Sequence, residues 1–227
     1  MADIHGKPMI QHVFETARQS GAAEVVIATD RARVGMAAEE FGATVCMILD
    51  DELTDLSRLA EVVDKLSWDD DAIVVNFPAD APLTPGEIIK QVADDLQSQK
   101  DADGAVLYTM VPLNVAVKET TINLIVDNSG YVMYFSRLPI PHQYSEKHKI
   151  SEYRSYIGIN AYRADVLRSC RSLAESELDL AENIEELKLL YNGIRIHAAE
   201  ANNVIGQRVI TEDDVAKVKV QIAPTSN

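Results

Sequence analysis

Asp80 stands between two prolines in the run Pro78-Ala-Asp-Ala-Pro-Leu-Thr84, directly after the apolar stretch Ala72-Ile-Val-Val-Asn-Phe77. A carboxylate on a loop stiffened in this way suits Mg²⁺, which takes one or two carboxylates together with substrate phosphates. A turn cap has the same residue type, and on pattern alone both readings stand. Asp30 holds the matching place after Glu24-Val-Val-Ile-Ala-Thr29 and reads better as the N-cap of the next helix. Both aspartates fall at the carboxyl ends of strands, where open α/β sheets collect their ligands. Arg137 has the chemistry to meet an anion and equally to close a surface ion pair. Glu185 shares its helix with Glu182, Glu186 and Lys188, a pattern that predicts a solvated face. Tyr134 and Tyr162 read as half-buried strand aromatics, and His197 as structural in an apolar strand. Cys46 reads as a small buried hydrophobe and Cys170 as unreactive.

Alternating elements must position these groups. Pro8 suits a first helical turn, and Met9, Ile10, Val13, Phe14 and Ala17 line one apolar face that ends at Ser20-Gly21. Strands are predicted at Glu24–Thr29, Thr44–Ile48 and Ala72–Phe77, the last strongly buried. Helices between and after them carry Val34, Ala37, Ala38 and Phe41, then Leu59, Val62, Val63 and Leu66, then Ile88, Ile89, Val92, Ala93 and Leu96. Near-continuous apolar strands alternating with helices predict an α/β fold with a mostly parallel, Rossmann-like sheet covered on both faces. The second half differs. Thr121–Val126 and Tyr131–Phe135 flank the hairpin signal Asp127-Asn-Ser-Gly130. Further strands are expected at Arg154–Tyr162 and Ile194–Ala199, and helices at Glu182–Leu190 and Glu212–Val220. The expected organisation is a single domain over residues 1–227 with a β-rich insertion at about 112–163, suited to a lid or a dimer surface.

Composition narrows the class of function. The 227 residues are 47% hydrophobic and 25% charged, as in ordinary globular chains. Twenty-one basic against 36 acidic residues leave a net charge of −15, the opposite of a nucleic-acid footprint. The start shows no secretory pattern, no apolar run approaches membrane-spanning length, and two cysteines build no disulfide framework, so a cytoplasmic protein is expected.

Several segments, in order, carry a family resemblance. They are Gly6-Lys-Pro-Met-Ile10, Ala28-Thr-Asp30, Arg58-Leu-Ala-Glu-Val-Val63, Asn76 through Asp80 to Pro82, and Tyr134-Phe-Ser-Arg137 with Ile140-Pro141. Gly158 with Tyr162, and Gly193 with Ile196-His197, complete the set. Together they resemble the 3-deoxy-manno-octulosonate cytidylyltransferases, with spacing kept over essentially the whole chain. The resemblance implies a nucleotidyltransferase of the GT-A-like fold in which a sugar-acid hydroxyl attacks the α-phosphate of CTP, giving a CMP-sugar and pyrophosphate for lipopolysaccharide assembly. It implies Mg²⁺ on Asp80, with Asp80 and Arg137 as catalytic groups. Lys7, Thr54 and Arg58 fall beside the nucleotide, and Arg137, Tyr162, Glu185 and Glu186 beside the sugar acid. It also implies a homodimer through the hairpin region, where Ile122, Leu124, Val132 and Tyr134 alternate, although a core face explains that alternation equally well.

The sequence departs from that family at its site. The chain starts about where the family's first helix does, so the strand and basic Pro-Gly-Lys-Pro loop before it are expected to be missing, leaving unpaired strand edges. Ala79 and Ala81 replace a glycine and a glutamate around Asp80, Asp55 stands in a Ser-Gly-Thr element, and Tyr156 and Asn160 replace a histidine and a tyrosine. Ile210 stands where the family carries its second metal aspartate, with Asp213 and Asp214 a turn away. These departures keep two alternatives beside the active cytidylyltransferase: a homologue with another substrate, and a non-catalytic partner or regulatory homologue.

Overall fold

The computed structural model describes residues 2–48 and 54–222. In chain order the elements are β1 (Asp3–Ile4), β2 (Lys7–Pro8), α1 (Met9–Gln19), β3 (Val26–Thr29), α2 (Ala32–Glu40), β4 (Thr44–Met47), α3 (Asp55–Leu66) and β5 (Ile73–Asn76). There follow α4 (Gly86–Ser98), β6 (Gly104–Pro112), α5 (Leu113–Ala116), β7 (Ile122–Val126), β8 (Val132–Ser136) and β9 (Glu152–Arg163). The chain ends with α6 (Ala164–Ser169), α7 (Glu177–Glu182), α8 (Glu186–Tyr191), β10 (Ile196–Glu200) and α9 (Glu212–Gln221). These elements fall into two compact units.

The first unit takes its described residues from Met1–Leu53, Phe77–Gln91 and Asn202–Asn227. β1 and β2 form a short antiparallel pair around His5 and Gly6, both at positive φ. Pro8 opens α1, as expected of a residue that has no N–H to leave unpaired, and Val13, Phe14 and Ala17 are the buried side. β3 and β4 pair in parallel across α2, and Phe14, Ile27, Ala38 and Ala43 form their core. Asp30 does not cap α2. The N-cap is Arg31, whose amide is taken by the Thr29 hydroxyl, and Asp30 pairs instead with the Arg31 side chain at 3.5 Å. α9 opens on a capping box between Thr211 and Asp214 and lays Val218 against Ile4 and Val209.

The second unit comprises Thr54–Asn76 and Val92–Ala201. Its sheet runs β10-β6-β9-β7-β8, and β5 also pairs with β9. The 12-residue β9 is the organising strand, lying antiparallel to β5, β6 and β7. A bulge between Val106 and Tyr108 coincides with Gly158 at φ 78°, a backbone state that favours glycine. Phe135, Tyr162, Leu167, Leu187, Leu189 and Ile196 are fully enclosed in its core.

The α/β class stands, and the sheet is mixed. β3–β4 and β10–β6 are parallel, whereas the pairings of β9 and of β7 with β8 are antiparallel. An apolar run marks a strand buried on both faces without stating its direction. Three local expectations change. β5 has only Val74 buried, because among the described residues β9 is its one strand partner. The expected helix over 182–190 breaks at Asn183, which turns left-handed between α7 and α8. β6 adds a strand beyond those expected, with Ala105, Val106 and Leu107 fully buried in it. Among the described residues no helix is long and apolar enough to cross a membrane.

Candidate functional site

In the second unit, the turn from Glu182 to Glu186 gathers the expected sugar-side residues. The Glu182 carboxylate accepts from the Ser136 hydroxyl and the Arg137 amide, both at 2.8 Å. The Arg137 guanidinium is divided among three carbonyls: Glu182 at 2.6 Å, Asn183 at 2.9 Å and Glu119 at 3.0 Å. Arg137 therefore ties off carbonyls, two of them at the end of α7, and closes no ion pair among the described residues. Glu185 reaches the start of α3, where its two oxygens accept from the amides of Asp55 and Leu56 at 2.9 Å. A carboxylate there satisfies two of the helix's free amides and meets the positive end of its dipole. Thr54 is the N-cap of the same helix, its hydroxyl accepting from the Ser57 amide, and Arg58 lies half-buried in the first turn.

Glu186 is not on a solvated face. Its side is turned to β9, where the Tyr156 hydroxyl donates to it at 2.9 Å and the Asn160 amide at 3.3 Å. Asn160 also donates to the Tyr156 oxygen at 2.7 Å, which closes a three-membered network. Burial pushes the Glu186 carboxyl above its usual range, against the pull of hydrogen bonds from its own amide and Tyr156, with the Glu185 charge adding to the rise. Burial raises Tyr156 and Tyr162 strongly, and the Glu186 charge reinforces both. Tyr162 is fully buried and its hydroxyl finds no partner among the described residues, so it serves the core first. Cys170 is buried and its thiol is pushed up to about 11 by desolvation, in keeping with an unreactive role.

In the first unit, Asp80 is engaged on both oxygens by the Arg208 guanidinium, at 2.9 and 2.8 Å. Lys7 meets Glu15 at 2.9 and 3.1 Å. Burial opposes ionisation of Glu15, but hydrogen bonds from Lys7 and Gln11 prevail and its carboxyl sits low. In the segment after Arg208, neither Ile210 nor Asp214 offers a free ligand for a cation. Ile210 is exposed, and the Asp214 carboxylate accepts from the amides of Ile210 and Thr211 and from the Thr211 hydroxyl. Those Thr211 hydrogen bonds hold the Asp214 carboxyl low. No group of three metal-ligating side chains occurs among the described residues. Asp80 alone, with both oxygens on a guanidinium, does not fit a resident Mg²⁺ site.

Two partners escaped the sequence reading. Arg208 lies two residues before Ile210, and its basic charge in an otherwise acidic segment is the signal the sequence carries. Helical spacing predicts a solvent face for Glu182, and that spacing fails because Asn183 breaks the helix.

A family model described as cytidylyltransferase matches residues 1–196. The 3-deoxy-manno-octulosonate cytidylyltransferase of Haemophilus influenzae is 40% identical, over 98% of this chain and 91% of its own. The protein of the same name from Idiomarina loihiensis is 39% identical, over 96% and 90%. The solved structure of a CMP:2-keto-3-deoxy-manno-octonic acid synthetase complexed with CTP superposes with a TM-score of 0.89 at 34% identity, covering 97% of this chain and 89% of that one. A 4-diphosphocytidyl-2C-methyl-D-erythritol synthase from Anaerococcus prevotii superposes with a TM-score of 0.62 at 10% identity, which reports shared fold alone. With the match running through α1, the Asp80 loop, the hairpin and β9, the chain belongs to the cytidylyltransferase family.

Proposed function

We propose that the protein transfers CMP from CTP to a sugar acid, with 3-deoxy-manno-octulosonate as the acceptor, in lipopolysaccharide synthesis. The carrying observation is 40% identity over 98% of the chain to a relative named for that reaction. The acceptor hydroxyl forms a new bond to the α-phosphorus and loses its proton to solvent, while the α–β phosphoanhydride bond breaks and pyrophosphate leaves. Catalysis of this kind rests on positioning and on neutralising phosphate charge. In this reading Thr54, Arg58 and Lys7 serve the nucleotide, and Arg137, Tyr162, Glu185 and Glu186 the acceptor. Arg137 and Tyr162 act as positioning residues, since one holds carbonyls and the other lies in the core. Mg²⁺ would enter with the triphosphate and supply charge neutralisation there, since both Asp80 oxygens are engaged by Arg208.

The test is pyrophosphate release from CTP, Mg²⁺ and 3-deoxy-manno-octulosonate, with the CMP-sugar identified by mass. Release that needs both substrates is the expected result. Release only with another nucleotide or acid would replace the acceptor assignment. That second reading is favoured by Tyr156, Asn160 and Glu186, which hydrogen-bond to one another. No release with any pair would leave the non-catalytic homologue.

A homodimer and a cytoplasmic setting complete the proposal. The buried Asn123 amide donates to the carbonyls of Ala116 and Leu138, which ties the end of α5 to the chain after β8. Leu113, Val117 and Leu138 are exposed apolar side chains within the β-rich segment and suit contact with a second copy. Both cysteines are buried and neither forms a disulfide among the described residues, as suits a reducing compartment.

A further inference from the structure

Asp80 and Arg208 are joined more firmly than a chance surface pair. The guanidinium meets the carboxylate fork to fork, Nε on one oxygen at 2.9 Å and Nη2 on the other at 2.8 Å. The next residue repeats the connection through the backbone, the Val209 amide donating to the Asp80 carbonyl at 2.8 Å. Two residues before Arg208, Gly206 lies so close to Leu83 that an added Cβ would overlap the Leu83 side chain and stand 2.8 Å from its carbonyl oxygen. The segment 206–209 is thus seated on the loop that carries Asp80. Beyond it Ile210 offers no ligand atom, and Asp214 is held in the α9 capping box.

We propose that Arg208 takes the place of a resident divalent cation at Asp80, and that its guanidinium is the positive group presented there to a phosphate. This rests on the nucleotidyltransferase reading. Asp80 then acts as a positioning residue that aims the fork. Nη1 makes no hydrogen bond among the described residues, and the side chain is 47% exposed, so the guanidinium can meet an anion without leaving Asp80. A guanidinium is always charged and matches phosphate geometry, whereas a carboxylate already bonded on both oxygens has little left to offer a metal.

Three measurements on the full chain decide it. Mn²⁺ alone, followed by electron paramagnetic resonance, is expected to bind wild type no better than Asp80→Asn. An Asp80-dependent Mn²⁺ site in wild type would overturn the proposal. Pyrophosphate, titrated by calorimetry in EDTA, is expected to bind wild type and to weaken by about ten- to a hundredfold in Arg208→Gln, the loss of charge-assisted hydrogen bonds. Equal binding by the two proteins, or none by wild type, would overturn it. The double variant Arg208→Gly with Ile210→Asp is expected to gain a Mn²⁺ site that Asp80→Asn removes. Absence of that gain in a folded variant would count against Arg208 as the metal's substitute. Failure of CTP turnover with every acceptor would overturn the transferase reading while leaving the Mn²⁺ and pyrophosphate results to judge Arg208 separately.

Discussion

Glu186 brings a carboxyl group into the company of Tyr156, Asn160 and Tyr162, and forms no ion pair among the described residues. Its carboxyl is held above the ordinary value of 4.5, burial being the main cause. The sign follows from linkage: a raised value means the folded state holds the proton more tightly than the unfolded chain. That contribution is complete below the ordinary value and is lost as pH rises through the raised one. Glu186→Gln keeps the shape and cannot ionise. Its stability relative to wild type is expected to rise with pH, reaching roughly 1–3 kcal/mol near neutrality, the order of the cost of a buried carboxylate with no counter-charge. Thermal unfolding of both proteins between about pH 4 and pH 8 reads this as a widening gap in Tm. A pH-independent gap would show that Glu186 ionises freely in the fold. The groups that face it and are held constant in the comparison are Tyr156, Asn160 and Tyr162 from β9 and Glu185 beside it.

At the scale of elements, the α7–α8 turn is a fastening. Within five residues Glu182 holds the end of β8, Glu185 holds the start of α3 and Glu186 holds β9. Replacing Glu185 by alanine frees the amides of Asp55 and Leu56 and is expected to cost about 1–2 kcal/mol, the range of a lost N-terminal cap. Glu185→Gln keeps one acceptor oxygen and is expected to lose less. Urea unfolding separates them, and equal losses would assign the effect to charge rather than to the hydrogen bonds. The resemblance implies that Glu185 and Glu186 lie beside the sugar acid. Their partners were not legible in the sequence, because Asp55 lies 130 residues from Glu185 and no local periodicity records such a meeting.

For the whole molecule, the proposed dimer face can be tested without touching the site. Val117 and Leu138 are 56% and 72% exposed, so aspartate at both costs the protomer little. The double variant is expected to run as a monomer by light scattering while wild type runs as a dimer. Wild-type Tm is also expected to rise with protein concentration and the variant's to stay constant. A wild-type monomer at all concentrations would remove the interface. The net charge of −15 opposes the approach of a triphosphate at long range, which leaves recognition to local groups such as Arg208.

The apolar runs at Val26–Thr29 and Thr44–Met47, the α1 face beside Pro8 and the hairpin signal at Asp127–Gly130 were legible because each is set by neighbours in the chain. The α/β class and the ordered family motifs followed from the same local information. Strand direction did not, since a strand buried on both faces looks alike in either orientation. Nor did the assignment of charges. Asp80 reads as a metal ligand until Arg208, 128 residues away, takes both its oxygens. Glu186 reads as a solvated acid until a left-handed Asn183 turns it onto β9. Hydrogen bonds and ion pairs between distant residues depend on how elements meet in space, and that meeting is a property of the packed chain.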